Sequence, residues 1–401
     1  MQAKFLHLYC LLCLIPYYAS GASVDELVSE RLTLMRDVAA YKWINELPIE
    51  DLVREAVVFG DVTERSLVHG IEIESTARLF GALVGAAKEI QRYWFSIWET
   101  RERPTSAPDL NTLIRPRLIE LSHEIFASLV LRAPLAPTRL TEQFSIEGLS
   151  EITINELANA LLAIKFYRDT FDKINRTRVL RVGTTGDYAP FSHRTSADKE
   201  FRGIDIDLAR DLAQGLNARV VFVQTTWPDL LQDLEEGNFD IAMGGVSRNL
   251  ERQKIGFFSD AYHSGGKTPI CHCENKEQFN SLEKLDQTGI KVIVNPGGTN
   301  EQFVDTHLKR ATKIIHRDNR SIFQTLVDRK ADVMITDSIE VALQVSRNPT
   351  LCAAMPEARL SFQEKGYLMQ QDIRLMEFVN LWLASRIGDG SITKTFAKHL
   401  K

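Results

Sequence analysis

Hydrophobic positions change their period once along the chain. From Ala22 to about Ile174 apolar residues recur every three or four positions, the spacing of one helix face. A first helix is predicted over 24–47, with Val24, Leu27, Leu34, Val38 and Tyr41 on its stripe. Pro48 predicts the start of a second, with Glu50 and Asp51 in the first turn, where the helix dipole favours acids. A third carries Ile73, Ala77, Phe80, Val84, Ala87, Trp94 and Trp98 in register. A fourth is expected to begin near Asp109, and another covers 153–174. No convincing strand signal interrupts them.

Beyond a polar, basic junction at 175–178 the pattern becomes β-α-β. Strands are predicted at 179–182, 220–223 and 239–243, with helices at 204–216 and 228–236. A second set follows: strands 290–294, 313–316 and 332–336, the turn NPGGT, and helices ending near Leu308 and Leu326 and beginning at Asp337. Two α/β lobes are implied, 178–266 with a C-terminal return near Tyr367 to Met369, and 267–366. Such lobes bind ligands in the cleft between them. The stretch from Asp240 to Pro269 has the chemistry of a carboxylate site. A short strand runs into Gly244-Gly245, then come Ser247, Arg252 and, after a second glycine pair, Lys267. It is expected at a sheet edge; ordinary surface charge is the alternative reading.

Composition narrows the class. The 401 residues are 44% hydrophobic and 25% charged, as in soluble multidomain protein. With 48 basic against 53 acidic residues the net charge is −5, and no basic run with interleaved aromatics is present, which argues against nucleic acid as partner. Residues 1–21 have the form of a secretory signal: one cation, an apolar run, then Ala19-Ser20-Gly21. Export to a periplasm is expected, with no membrane attachment after the signal leaves. Cys10 and Cys13 leave with it. Cys271, Cys273 and Cys352 remain, an odd count that suits one disulfide and one free thiol better than a metal site. Neither NPGGT nor GDYAP has phosphate-loop or dinucleotide spacing, so no cofactor is implied.

Polar residues fall on the apolar faces of the helical region. Arg31 and Lys42 are eleven residues apart, three turns, on one stripe, and Gln91 fills the slot between Ala87 and Trp94. Arg54 and Arg115 lie in the first turns of their helices. Left unpaired, such groups cost several kcal/mol, so they either snorkel to solvent or surround an anionic ligand. Taken together they describe a pocket for a small dicarboxylate, with no nucleophile and no acid–base pair. Such a pocket can accelerate a pericyclic rearrangement by holding a reactive conformer and placing positive charge against an oxygen that becomes negative. The motifs ERL, VAAYKW, LPIED, AAKEIQ and DLNTLIRPRL resemble the secreted, all-helical chorismate mutases, over 22–175. The resemblance implies that Arg31, Arg54 and Arg115 bind the substrate and that Lys42 and Gln91 flank the breaking ether oxygen. It also suggests a homodimer through the helical domain. Val58 and Ala87 stand where relatives can carry polar pocket residues.

The second region resembles the type II periplasmic binding proteins, and more closely the cyclohexadienyl dehydratases built on that fold, through TTGDYAPF, TTWPDL, FDIAMGGVSRNLERQ, GGKTPI, VNPGGTNEQF and MITDSIEV. In amino-acid-binding relatives the positions of Arg252 and Thr299 hold the ligand carboxylate and that of Asp337 its ammonium. In the dehydratases the positions of Glu340, Lys267 and Asn295 are catalytic, while Tyr188 and Trp227 match aromatics lining the cleft. The resemblance also implies a Cys273–Cys352 disulfide with Cys271 free. Dehydration of prephenate or arogenate needs an acid for the departing hydroxyl, and Glu340 is the candidate. Asp337, three residues earlier, is expected on the same cleft-facing side, matched to a substrate ammonium or left solvated. The chain is therefore expected to be a helical mutase bundle followed by a two-lobed α/β dehydratase, acting on chorismate, prephenate and arogenate. A non-catalytic solute receptor fused to a helical module is the rival.

Overall fold

The structure, a computed structural model, describes residues 22–131, 137–194, 200–357 and 359–400, with 137–139 described for the backbone alone. The expected export signal at 1–21 lies outside them. The chain divides into two compact units between Lys165 and Phe166.

The first unit is a stack of helices: α1 (Val24–Thr33), α2 (Met35–Ile44), α3 (Leu52–Val68), α4 (Ile73–Thr100), a π-helical turn (Leu110–Ile114), α5 (Arg115–Val130), α6 (Pro137–Gln143) and α7 (Glu151–Leu162). The long α4 packs on α2, α3 and α7, and α1 packs on α5. Leu27, Leu32, Leu79, Phe80, Leu83, Leu121, Ile125 and Phe126 are buried between them. Three expectations change. The helix predicted over 24–47 is two, divided at Leu34, where ψ falls to −15° and the N–H turns also toward the Leu32 carbonyl. The second helix starts at Leu52, not Pro48, because Asp51 caps it by accepting the Arg54 N–H at 3.0 Å. On α4 the buried stripe is Thr76, Leu79, Phe80, Leu83, Ala86, Ile90 and Trp94; Ala77 is exposed, while Val84 and Ala87 face a pocket.

The helix predicted over 153–174 is also two. The second piece, α8 (Thr170–Thr177), belongs to the α/β unit: Lys173 Nζ pairs with buried Asp240 at 2.8 Å, and the Phe171 N–H donates to Asp372 at 2.7 Å. Then follow β1 (Val179–Thr184), β2 (Asp187–Tyr188), β3 (Ser192–His193), α9 (Ile204–Gly215), β4 (Arg219–Gln224), α10 (Leu230–Glu235), β5 (Ile241–Ala242), α11 (Leu250–Ile255), β6 (Phe257–Phe258), β7 (His263–Gly265) and β8 (Lys267–His272). The second lobe adds α12 (Leu282–Leu285), β9 (Lys291–Val294), α13 (Thr299–His307), β10 (Thr312–Ile315), α14 (Ile322–Val327), β11 (Val333–Asp337), α15 (Ser338–Arg347) and β12 (Leu351–Ala353). The chain closes with β13 (Gln363–Lys365), β14 (Leu368–Met369), α16 (Ile373–Gly388) and α17 (Ser391–His399).

Two five-stranded sheets result, ordered β4-β1-β5-β14-β6 and β10-β9-β11-β8-β12, and the antiparallel ribbon β7–β13 lies where the chain passes between lobes. Lys267 therefore does not sit at a sheet edge. It opens β8, an interior antiparallel strand that the β-α-β reading missed because it has no helix of its own. Cys273 and Cys352 are bonded, and Cys271 is free and buried.

Candidate active sites

In the helical unit, α1, α2, α3, α4 and α5 enclose a cavity of about 270 Å³ into which all five predicted residues reach. Arg31 Nη1 donates to the Leu118 carbonyl at 2.6 Å and to Ser122 Oγ at 3.3 Å. Lys42 Nζ donates to the Ile49 carbonyl at 2.6 Å, so the 45–51 link before α3 fixes its position. Arg115 follows the π-helical turn that Asp109 caps, and its Nη1 meets Asn111 Oδ1 at 2.5 Å. Gln91 is buried; its Nε2 donates to the Ala87 carbonyl at 2.9 Å, and its Oε1 has no partner. Val58 and Ala87 line the wall. Burial lowers the Arg31 guanidinium to about 10, with Arg54 beside it adding to the fall, so it stays charged at neutral pH. Burial also lowers Lys42, against the opposing pull of Asp51.

Among the charged residues of this pocket, sequence reasoning missed four: Asp51, Glu55, Asp61 and Lys88. Lys88 pairs with Glu55 at 2.8 Å and with Glu50 at 2.9 Å. Its spacing, three residues before Gln91 on one helix face, was the available signal.

The second site lies between the lobes of the α/β unit. A small cavity of about 30 Å³ is lined by Tyr188, Trp227, Ser247, Arg252, Asn295, Thr299 and Asp337, all predicted. Asn300, Asn319 and Lys365 line it too and were not. Gly245 has φ +74°, and a Cβ there would lie 2.5 Å from the Tyr188 ring, so only glycine lets that ring close over the turn. Its N–H is not free for a ligand, because it donates to Asp205 Oδ2 at 2.5 Å. Arg252 Nη1 donates to the Ser247 carbonyl at 3.0 Å, with the guanidinium 5.9 Å from the Trp227 ring centre. A larger cavity of about 690 Å³ adjoins it, sharing Trp227, Asn295 and Asn319.

Lys267 and Glu340 stand one residue behind the small cavity. Lys267 Nζ donates to Asp337 Oδ1 at 2.7 Å, to Thr299 Oγ1 at 3.0 Å and to Asn300 Oδ1. Asn300 Nδ2 donates to Asn295 Oδ1 at 3.2 Å and to Thr336 Oγ1 at 3.0 Å, and that hydroxyl in turn donates to Glu340 Oε2 at 2.5 Å. Glu340 thus accepts at Oε2, which leaves Oε1 to carry a proton. Burial pushes its carboxyl up to about 8; the Thr336 hydrogen bond and the two lysines oppose this, and Asp337 reinforces it.

Asp337 has the opposite fate. It is buried rather than solvated, with Lys267 on Oδ1, Lys365 on Oδ2 at 2.6 Å and the Tyr188 hydroxyl also on Oδ2. Despite burial, the two ammonium groups hold it far below the usual carboxylate range. Asp337 thus accepts from both lysines.

Residues 23–92 match the chorismate mutase type II family model, a span holding Arg31, Lys42, Arg54 and Gln91 but stopping short of Arg115. Residues 180–401, more than half of the chain, match the bacterial extracellular solute-binding proteins, family 3. The chain belongs to that family. Among solute-binding relatives, cyclohexadienyl dehydratase of Pseudomonas aeruginosa is 48% identical over 227 residues, 57% of this chain and 84% of that protein. The histidine-binding periplasmic protein of Escherichia coli K12 is 25% identical over 229 residues, 55% of this chain and 86% of that one. A solved ancestral amino acid-binding protein, described as a precursor of cyclohexadienyl dehydratase, aligns with a TM-score of 0.54 and 34% identity, covering 58% of this chain and all of its own. Membership of the solute-binding family accounts for where the second site lies, between two α/β lobes. No helix among the described residues is long and apolar enough to cross a membrane.

Proposed function

We propose that the chain is a bifunctional, exported enzyme of phenylalanine biosynthesis. Its helical unit rearranges chorismate to prephenate, and its α/β unit converts prephenate to phenylpyruvate, and arogenate to phenylalanine. In the first step Arg31, Arg54 and Arg115 bind the substrate, while Lys42 and the Gln91 amide meet the ether oxygen as its bond to carbon breaks. In the second, Glu340 protonates the ring hydroxyl, which leaves as water. The bond to the ring carboxylate breaks, carbon dioxide departs, and the electron pair completes the aromatic ring.

Glu340 is the observation that carries this reading. A carboxyl that keeps its proton at neutral pH, beside a cationic cleft, is suited to general acid catalysis and unneeded in a receptor. Arg252, Thr299, Ser247 and Asn295 line the cavity where they can hold the substrate, with Tyr188 and Trp227 against its ring, and Lys267 donates to Thr299 directly behind them. The signal-like 1–21 segment supports a periplasmic location. Leu52 and Val53 are exposed at the start of α3, which supports a dimer through the helical unit.

The test is an assay of phenylpyruvate from chorismate by the purified full chain, with prephenate followed alongside. Both activities are expected. Tight amino-acid binding with no turnover of prephenate would establish the receptor reading instead.

A further inference from the structure

We propose that the Lys365 ammonium occupies the place a ligand's ammonium would take, so that the cleft selects 2-oxo acids over the matching 2-amino acids. This rests on the dehydratase reading of the cleft. Lys365 sits on β13, opposite His263 in the ribbon that lies between the lobes, and its side chain is 5% exposed. Its Nζ donates to Asp337 Oδ2 at 2.6 Å and to Ser247 Oγ at 2.9 Å. It also lies 5.0 Å from the Tyr188 ring centre and 5.7 Å from that of Phe191. A carboxylate, a hydroxyl and two aromatic faces around one point are the groups that recognise a primary ammonium, and here the chain supplies that ammonium itself.

Charge counting points the same way. Three cations, Lys267, Lys365 and Arg252, gather at this cleft, where Asp337 accepts from both lysines and the carboxylate of Asp205 is held behind the Gly245 turn. The two carboxylates of a 2-oxo acid such as prephenate meet those cations without adding another. An amino acid brings one more cation to an Asp337 whose oxygens already accept from Lys267, Lys365 and Tyr188. Being tethered, Lys365 competes for the position without loss of translational freedom.

Phenylpyruvate and L-phenylalanine, the two expected products, are an unreactive pair differing at the decisive group. Calorimetric titration of the wild-type full chain should give at least about tenfold tighter binding of phenylpyruvate, a difference of about 1.4 kcal/mol. Lys365→Met should shift the ratio of the two affinities, and of kcat/KM for prephenate over arogenate, by about tenfold or more towards the amino acid. Lys365→Arg, which keeps the charge, should shift it far less. Equal binding of the two products by wild type overturns the proposal, as does an unchanged ratio in a folded Lys365→Met protein that keeps mutase turnover. If that variant does not fold, the wild-type titration decides alone. A wild-type chain without prephenate turnover would sink the dehydratase reading separately from these ratios.

Discussion

Glu340 and Asp337 lie three residues apart at the start of α15, yet their surroundings drive them to opposite charge states. Asp337 has two lysines; Glu340 has a threonine hydroxyl and burial. Glu340→Gln keeps the shape and removes the acid, so dehydratase turnover should fall about a hundred- to ten-thousand-fold. The variant should still bind prephenate and should accumulate it when fed chorismate. Near-wild-type turnover would remove Glu340 from the mechanism. Because the acid must be protonated, wild-type dehydratase activity should decline as pH rises through about 8. Gln91 belongs to the same scale: a neutral amide needs no proton uptake, so mutase activity should stay nearly flat from mildly acidic to neutral pH. In Gln91→Glu it should fall as pH rises through the new carboxyl's pKa, since only the protonated form can donate to the ether oxygen. Lys42→Ala should reduce turnover far more than Arg78→Ala on the exposed face of α4. A steep wild-type loss over that pH range, or equal effects of the two alanines, would refute these roles.

At the scale of elements, turns and caps aim the side chains. The Gly244-Gly245 turn after β5 is closed over by the Tyr188 ring, and Asp205 ties it down through the Gly245 N–H while accepting the Tyr262 hydroxyl at 2.7 Å. Gly245→Ala places a methyl against the rings of Tyr188 and Phe191 at a φ that disfavours any side chain. Its expected outcome is a stability loss above about 1 kcal/mol with impaired dehydratase and unaltered mutase turnover, measured by denaturant unfolding and separate assays. Equal losses in both activities would mean that the turn matters to more than the cleft. The glycine pair was readable as a close approach, but what approaches is the protein's own tyrosine.

At the scale of the molecule, each unit has its own core, and each should unfold as its own transition. The pH response of the second follows from Glu340. Unfolded, its carboxyl releases a proton near 4.5; folded, it holds it to about 8. Between those values the folded state binds the extra proton, so the α/β transition should lose stability as pH rises from about 4.5 to about 8. Glu340→Gln should flatten that slope while leaving the helical transition unchanged. A calorimetric pH series with no difference between variant and wild type would contradict the assigned burial.

By itself the sequence determined the two-part plan, the βα order of the lobes and many of the residues that line the two candidate sites, because these depend on periodicity and residue type. Arg31, Lys42 and Gln91 were legible since helical spacing puts them on one face. Tertiary structure decided the rest. Asp51 caps α3 and moves its start; α8 joins the second unit because Lys173 finds Asp240 there. The 3.6-residue period tolerates a rotation of a helix by one position, and only packing fixed which side of α4 is core and which is pocket. Lys365, more than a hundred residues from Ser247, entered the site through a ribbon pairing that no local pattern encodes. The charge on Glu340 was decided in the same way, since burial and neighbours set a pKa and both exist only once the chain has folded.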